Sequence, residues 1–174
     1  MVENKIALNE ASTQDYIALL KYRVMRLAVF TAGVAIVIAP GSIDPVVALG
    51  SLICIGIGAG AAGALNMWWD SDVDSIMDRT SNRPIPTGKI TRDQALSFGL
   101  FLTFFSVMFL GLFANHLSAF LLLGTIVFYI LIYTMFLKRR TSQNIVIGGA
   151  AGALPPVIGW AVTTNSIGFE SILM

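Results

Sequence analysis

Leu49–Pro84 reads LGSLICIGIGAGAAGALNMWWDSDVDSIMDRTSNRP and joins two chemistries that rarely meet. Residues 49–69 carry no charge, and then Asp70, Asp72, Asp74 and Asp78 arrive within nine positions. The first half is long enough to enter a bilayer. The second places carboxylates at its mouth, where leaving water costs several kcal/mol each unless something pairs with them. The fold and the function both follow from how the chain resolves that conflict.

The rest of the chain settles the solvent. Of 174 residues, 56% are hydrophobic and 12% charged, with a mean hydropathy of +0.78. A soluble domain carries about 25% charged residues. The composition therefore predicts an all-α polytopic membrane protein in the lipid bilayer. Net charge is +1, and no basic tract with interleaved aromatics suggests nucleic acid. Cys54 is the one cysteine and lies in an apolar run, so it reads as a small packing residue. The opening MVENKIALNEASTQDY lacks the charged, apolar and small-residue regions of a secretory signal peptide.

A span needs roughly 20 mostly apolar residues to cross ~30 Å of hydrocarbon. Five stretches are predicted to do so: Arg26–Gly41, lengthened by the preceding IALLKYRVM; Pro45–Trp68; Gln94–Asn115; Leu117–Leu137; and Asn144–Thr163. With the N-terminus inside, Lys5, Lys21, Arg23, Arg26, Arg79, Arg83, Lys89, Arg92, Lys138, Arg139 and Arg140 all fall on the cytoplasmic side. This asymmetry predicts a cell (inner) membrane protein with a cytoplasmic N-terminus and site. Trp68, Trp69, Tyr129 and Tyr133 fit interface belts, and Trp68 and Tyr133 are also candidate pocket-lining residues. Small pairs such as Gly56 with Gly60 and Ala59 with Gly63 predict close helix packing or room for a bulky ligand. Pro155-Pro156 predicts a kink in the fifth span. His116 lies in an outward link, away from the aspartates.

If the second span continues as a helix through the motif, Asn66, Asp70, Asp74 and Asp78 recur every four residues along one face. Asp72 points nearly the other way. Like charges at that spacing repel, so the face calls for a cation. Oxygen ligands without Cys or His favour Mg²⁺ or Ca²⁺. Asp70 and Asp74 are the expected metal ligands, with Asn66 assisting and Asp78 a weaker candidate. Mg²⁺ usually takes one or two carboxylates and shares phosphate oxygens from a ligand. Arg79, Arg83, Lys138 and Arg139 are the expected diphosphate-binding residues, because arginine grips phosphate oxygens bidentately and lysine adds a point charge. A solvated basic loop with aspartate counter-ions is the plainer reading, but such a loop has no reason to keep helical register.

NMWWDSDVDSIMDRTSNRPIPTGKI resembles the first aspartate-rich motif and following loop of the UbiA-type intramembrane prenyltransferases. The family pattern Asn-x-x-x-Asp-x-x-x-Asp falls on Asn66, Asp70 and Asp74. YTMFLKRRTSQNIVIGGAAGALPPVIGWA and LLKYRVMRLAVFTAGV carry the likeness further, toward members that join a farnesyl group to protoheme IX. The resemblance implies a transmembrane helix bundle of about nine spans, of which five are present. It implies Mg²⁺ as cofactor, farnesyl diphosphate and protoheme IX as substrates, and haem pathway enzymes as partners. It also implies a second aspartate-rich motif at the end of a sixth span. Residues 1–174 are accordingly expected to be a single transmembrane domain truncated at its C-terminus and inactive alone. Alternative expectations are another aromatic acceptor (4-hydroxybenzoate or a chlorophyll-type ring), a non-catalytic truncated membrane protein, and a cation-binding transporter.

Overall fold

The computed structural model describes residues 11–141 and 143–173. Lys5, Glu3 and Glu10 lie outside the described residues. The chain folds as helices α1 (Thr13–Leu19), α2 (Tyr22–Ile38), α3 (Pro45–Asp74), α4 (Arg92–Phe113) and α5 (His116–Val127). Phe128–Leu137 continues α5 as a π-helical segment, and α6 (Asn144–Thr164) and α7 (Phe169–Leu173) follow.

The starts of α3, α4 and α5 have local causes. Asp44 caps α3 by accepting from the Val46 and Val47 amides, with Pro45 in the first turn where its missing N–H costs nothing. Thr91 and Gln94 form a capping box on α4. The Asn115 side chain accepts from the Ser118 amide to start α5, while its amide donates to the carbonyls of Ala161 and Val162 in α6. That last pair ties the α4–α5 corner to α6.

Among the described residues, four segments are long and apolar enough to cross a membrane: α3, α4, His116–Leu137 and α6. α2 is shorter than the expected first span. Its 17 residues reach about 26 Å, and of IALLKYRVM only Tyr22–Met25 joins it, Ile17–Leu19 belonging to α1. Lys21 adopts the left-handed conformation with φ 50°, which separates α1 from α2. α3, with 30 residues, reaches about 45 Å, so it outruns ~30 Å of hydrocarbon and carries its aspartates beyond it. α6 runs unbroken over Pro155 and Pro156.

The small residues of α3 serve close packing and also leave open space. A Cβ at Gly63 would lie 3.1 Å from the Leu20 carbonyl oxygen, and one at Gly56 would lie 2.9 Å from Val29. α2 and the α1–α2 junction therefore press directly on α3. Gly58, Ala59, Ala62 and Gly63 also border a half-open cavity between the helices. The main core gathers Ala32, Ile55, Leu122, Ile126 and Ile158 from α2, α3, α5 and α6, with Cys54 packed among them. Outward, Phe30, Val37, Phe104, Leu112 and Phe120 are exposed, an apolar surface suited to lipid or to further helices.

Candidate functional site

Helix α3 ends at Asp74, one turn short of the extent that would align Asp78. Asn66, Asp70 and Asp74 are buried at 2%, 1% and 4% exposure. The expected four-residue ladder therefore exists for three of its members. Asp78 lies past the helix end and is exposed, as is Arg79 beside it. Asp78 does not join the face because Ser75–Met77 leave the helix in turns, with the Ile76 and Met77 amides both donating to the Val73 carbonyl.

Each buried polar group of the ladder meets one cation from elsewhere in the chain. Lys21 Nζ donates to Asn66 Oδ1. Lys138 Nζ lies 2.5 Å from Asp70 Oδ2, and Arg83 Nη1 lies 2.5 Å from Asp74 Oδ2. Asn66 Nδ2 donates to Asp70 Oδ2 at 3.0 Å and to Thr134 Oγ1 at 3.1 Å. The three cations exceed the two carboxylates by one charge. Buried carboxylates are tolerated because they are paired, and the surplus makes the cluster attractive to an anion.

Lys21, Thr134 and Tyr129 are site residues that the sequence reading did not select. Lys21 and Arg23 interrupt the apolar run IALLKYRVM, and of the two only Lys21 is turned into the site. Withdrawal from water, and then the charges of Arg83 and Lys138, push its ammonium down to about 8. Arg139 does not reach the ladder. Its guanidinium donates to both carboxylate oxygens of Asp72, at 2.7 and 3.0 Å, and lies 5.7 Å from the Trp69 ring centroid. Asp72, pointing away from the ladder as expected, thus engages a residue assigned to the diphosphate. This exposed pair contributes little to stability.

Below the cluster lies a cavity of about 210 Å³, lined by Lys21 at one end and by apolar groups including Ile55, Leu122, Tyr129, Gly152 and Pro155. Neither Trp68 nor Tyr133 lines it. Trp68 packs on a second core of Leu19, Ala64 and Met67, on the α1 side of α3. Tyr133 stacks on Tyr129 at 5.2 Å, one layer back, and covers Gly148 so closely that a side chain there would collide with its ring. His116 is exposed, at the end of α5 opposite the segment that carries Thr134 and Lys138.

Short helix α1 holds Lys21 in place. Asp15 accepts from the Ser12 amide and hydroxyl and pairs with Lys89 at 3.2 Å. The Ser12 hydrogen bonds, and then Lys89, hold the Asp15 carboxyl below its ordinary 3.8. A depressed carboxyl contributes stability above its ordinary value and loses it as pH falls through that range. Amide exchange in Asp15–Leu20 should therefore accelerate below about pH 4, ahead of α3. Asp15→Asn should remove that step. Unchanged α1 protection in acid would refute the anchoring role.

Among the described residues, no three His, Cys, Asp or Glu side chains converge as a metal site. The ladder offers two carboxylates and a carboxamide oxygen, a set that suits a hard cation retaining water and phosphate ligands. It does not suit a metal enclosed wholly by protein.

A model described as the UbiA prenyltransferase family matches residues 27–174. Protoheme IX farnesyltransferase of Rhodopseudomonas palustris (strain BisB5) is 58% identical over 167 residues, covering 96% of this chain and 53% of that protein. The Rhizobium etli (strain CIAT 652) protein of the same name is 60% identical with the same coverage. The chain thus spans about half the length of the curated relatives it matches. A UbiA homolog from Archaeoglobus fulgidus bound to DMAPP and Mg²⁺ superposes with a TM-score of 0.74 at 17% identity, over 91% of this chain and 58% of that one. The same homolog bound to GPP and Mg²⁺ gives 0.75, over 91% and 57%. At that identity the likeness is one of fold.

Proposed function

Because this chain belongs to the UbiA prenyltransferase family, we propose that it forms the diphosphate-binding part of a protoheme IX farnesyltransferase site. The supporting observation is the buried Asn66–Asp70–Asp74 ladder, closed by Lys21, Lys138 and Arg83 above an apolar cavity. The names of the curated relatives support farnesyl diphosphate and protoheme IX as substrates. The solved relatives, holding DMAPP or GPP with Mg²⁺, support a prenyl diphosphate and that cofactor.

In this reading Asp70 and Asp74, with Asn66 Oδ1, would hold Mg²⁺, which when bound neutralises diphosphate charge. Lys21, Lys138 and Arg83 turn from the ladder toward the diphosphate and stabilise the negative charge that grows as its bond to the farnesyl C1 breaks. The apolar cavity takes the prenyl chain and excludes water from the allylic cation. The haem vinyl supplies the electron pair for the new carbon–carbon bond. Water then adds to the other vinyl carbon and a proton is lost, giving a hydroxyethylfarnesyl haem and free diphosphate. Arg79 and Arg139 are left as outer phosphate contacts at most. The basic residues Lys21, Arg83, Lys89 and Lys138 cluster at one end of the bundle, which supports a cytoplasmic-facing site in the cell inner membrane.

The test is to incubate the full-length protein with farnesyl diphosphate, Mg²⁺ and either protoheme IX or 4-hydroxybenzoate, and to weigh the product. Prenylated haem is expected. Product from 4-hydroxybenzoate alone would transfer the proposal to that acceptor. Gly152 offers a sharper probe of the cavity, since a Cβ there meets nothing within 4 Å. Gly152→Leu should fill the cavity, lowering farnesyl diphosphate affinity about tenfold while leaving inorganic diphosphate affinity intact. Equal losses for both ligands would remove the prenyl chain from this cavity.

A further inference from the structure

We propose that Thr134, presented by the π-helical segment 128–137, is a positioning residue that fixes the side-chain amide of Asn66 so that its oxygen faces the cation site. The inference rests on the reading of Asn66, Asp70 and Asp74 as Mg²⁺ ligands.

A threonine hydroxyl has one hydrogen to donate, and that of Thr134 goes to the Tyr129 carbonyl at 2.8 Å, five residues back. Its oxygen can then only accept, and it accepts from Asn66 Nδ2 at 3.1 Å. The second hydrogen of that amide goes to Asp70 Oδ2. Both Nδ2 hydrogens are thereby committed, and Oδ1 is left pointing at Lys21 Nζ. A flipped amide would set Nδ2 against an ammonium and Oδ1 against a carboxylate.

Two of these three restraints are charged, and a metal–diphosphate pair would take both. Asp70 would turn to the metal and Lys21 to the diphosphate. Thr134 is uncharged, fully buried and held by the backbone, so it remains as the restraint that keeps nitrogen from facing the metal. Mg²⁺ takes oxygen ligands in a near-ideal octahedron, so a nitrogen turned toward it is a lost ligand. Helix threonines such as Thr103 and Thr125 also donate to a carbonyl, but four residues back. The bond from Thr134 spans five because the segment is π-helical, and such turns occur frequently at functional sites. The same segment delivers Lys138 to Asp70.

The experiment measures binding of inorganic diphosphate to the full-length protein in detergent, as a function of Mg²⁺ and in EDTA. Thr134→Val keeps the shape and removes the acceptor. It should raise the Mg²⁺ concentration for half-maximal binding about tenfold, with the weaker binding in EDTA unchanged. Thr134→Ser restores the oxygen and should recover the Mg²⁺ requirement to within about threefold of wild type. An unshifted Mg²⁺ requirement in Thr134→Val overturns the proposal. So does equal impairment in Thr134→Ser, or a parallel loss of binding in EDTA, which would mark a packing role. If wild-type protein binds diphosphate with no Mg²⁺ dependence, the metal reading itself falls, whatever the variants do.

Discussion

Asp70→Ala in the full-length protein should reduce farnesyl transfer by about a thousandfold or more, and Asp74→Ala should match it, while the protein stays folded. Fold and function separate here for a physical reason. Removing either carboxylate deletes a buried charge and strands its cation partner, together with one Asn66 Nδ2 hydrogen in the case of Asp70. Lys138 and Arg83 are 37% and 26% exposed in their side chains, so each can turn to water. The substrate has no such substitute, since its diphosphate charge would then meet a single carboxylate's share of metal. Asp72→Ala is the matched control. Its carboxylate is 53% exposed and paired only with Arg139, an interaction worth about 0.2–1 kcal/mol, and turnover should remain near normal. Product formation measured beside the thermal midpoint decides the matter. Near wild-type activity in Asp70→Ala would end the ligand assignment.

Gly159→Val should cost about 3 kcal/mol or more of stability without touching any site residue. A Cβ at Gly159 would run into the backbone carbonyl of Ala32, so the obstacle is main chain and cannot turn aside. α2 and α6 would have to separate, opening the core around Ala32 and Ile158, both essentially unexposed. Gly149→Ala, ten residues earlier on the same helix, meets nothing within 4 Å and should change stability by less than about 0.5 kcal/mol. Thermal unfolding of the two variants in one detergent separates them. Equal midpoints would show that the α2–α6 approach is not the constraint described.

Much of this architecture was legible because lipid imposes strong local rules. Charge-free runs mark α3 to α6, and four-residue spacing aligns Asn66, Asp70 and Asp74. The unread parts all depend on pairing across long sequence distances. Lys21 reaches Asn66 over 45 residues and Lys138 reaches Asp70 over 68, and no local pattern records either. The helix end at Asp74 turned Asp78 away, and only the folded chain shows Arg139 diverted to Asp72. Tyr129 rather than Tyr133 lines the cavity, and the π-helical turns of that segment decide which side chains share a face in a way no residue pattern shows. The glycine pairs were ambiguous in sequence for a good reason, since Gly63 both packs against the Leu20 carbonyl and borders the cavity.

The pairing of Asp70 with Lys138 also orders events during synthesis. The carboxylate leaves the ribosome 68 residues before its partner, an interval on the order of ten seconds at cellular elongation rates. Throughout that interval the head of α3 must stay hydrated at the membrane surface. Burial becomes favourable only after the hairpin of α4 and α5 has inserted and brought Lys138 back to the same side. The Asp70–Lys138 pair closes only after that hairpin, so a stalled or misthreaded hairpin leaves the carboxylate exposed to water, where quality-control proteases can reach it.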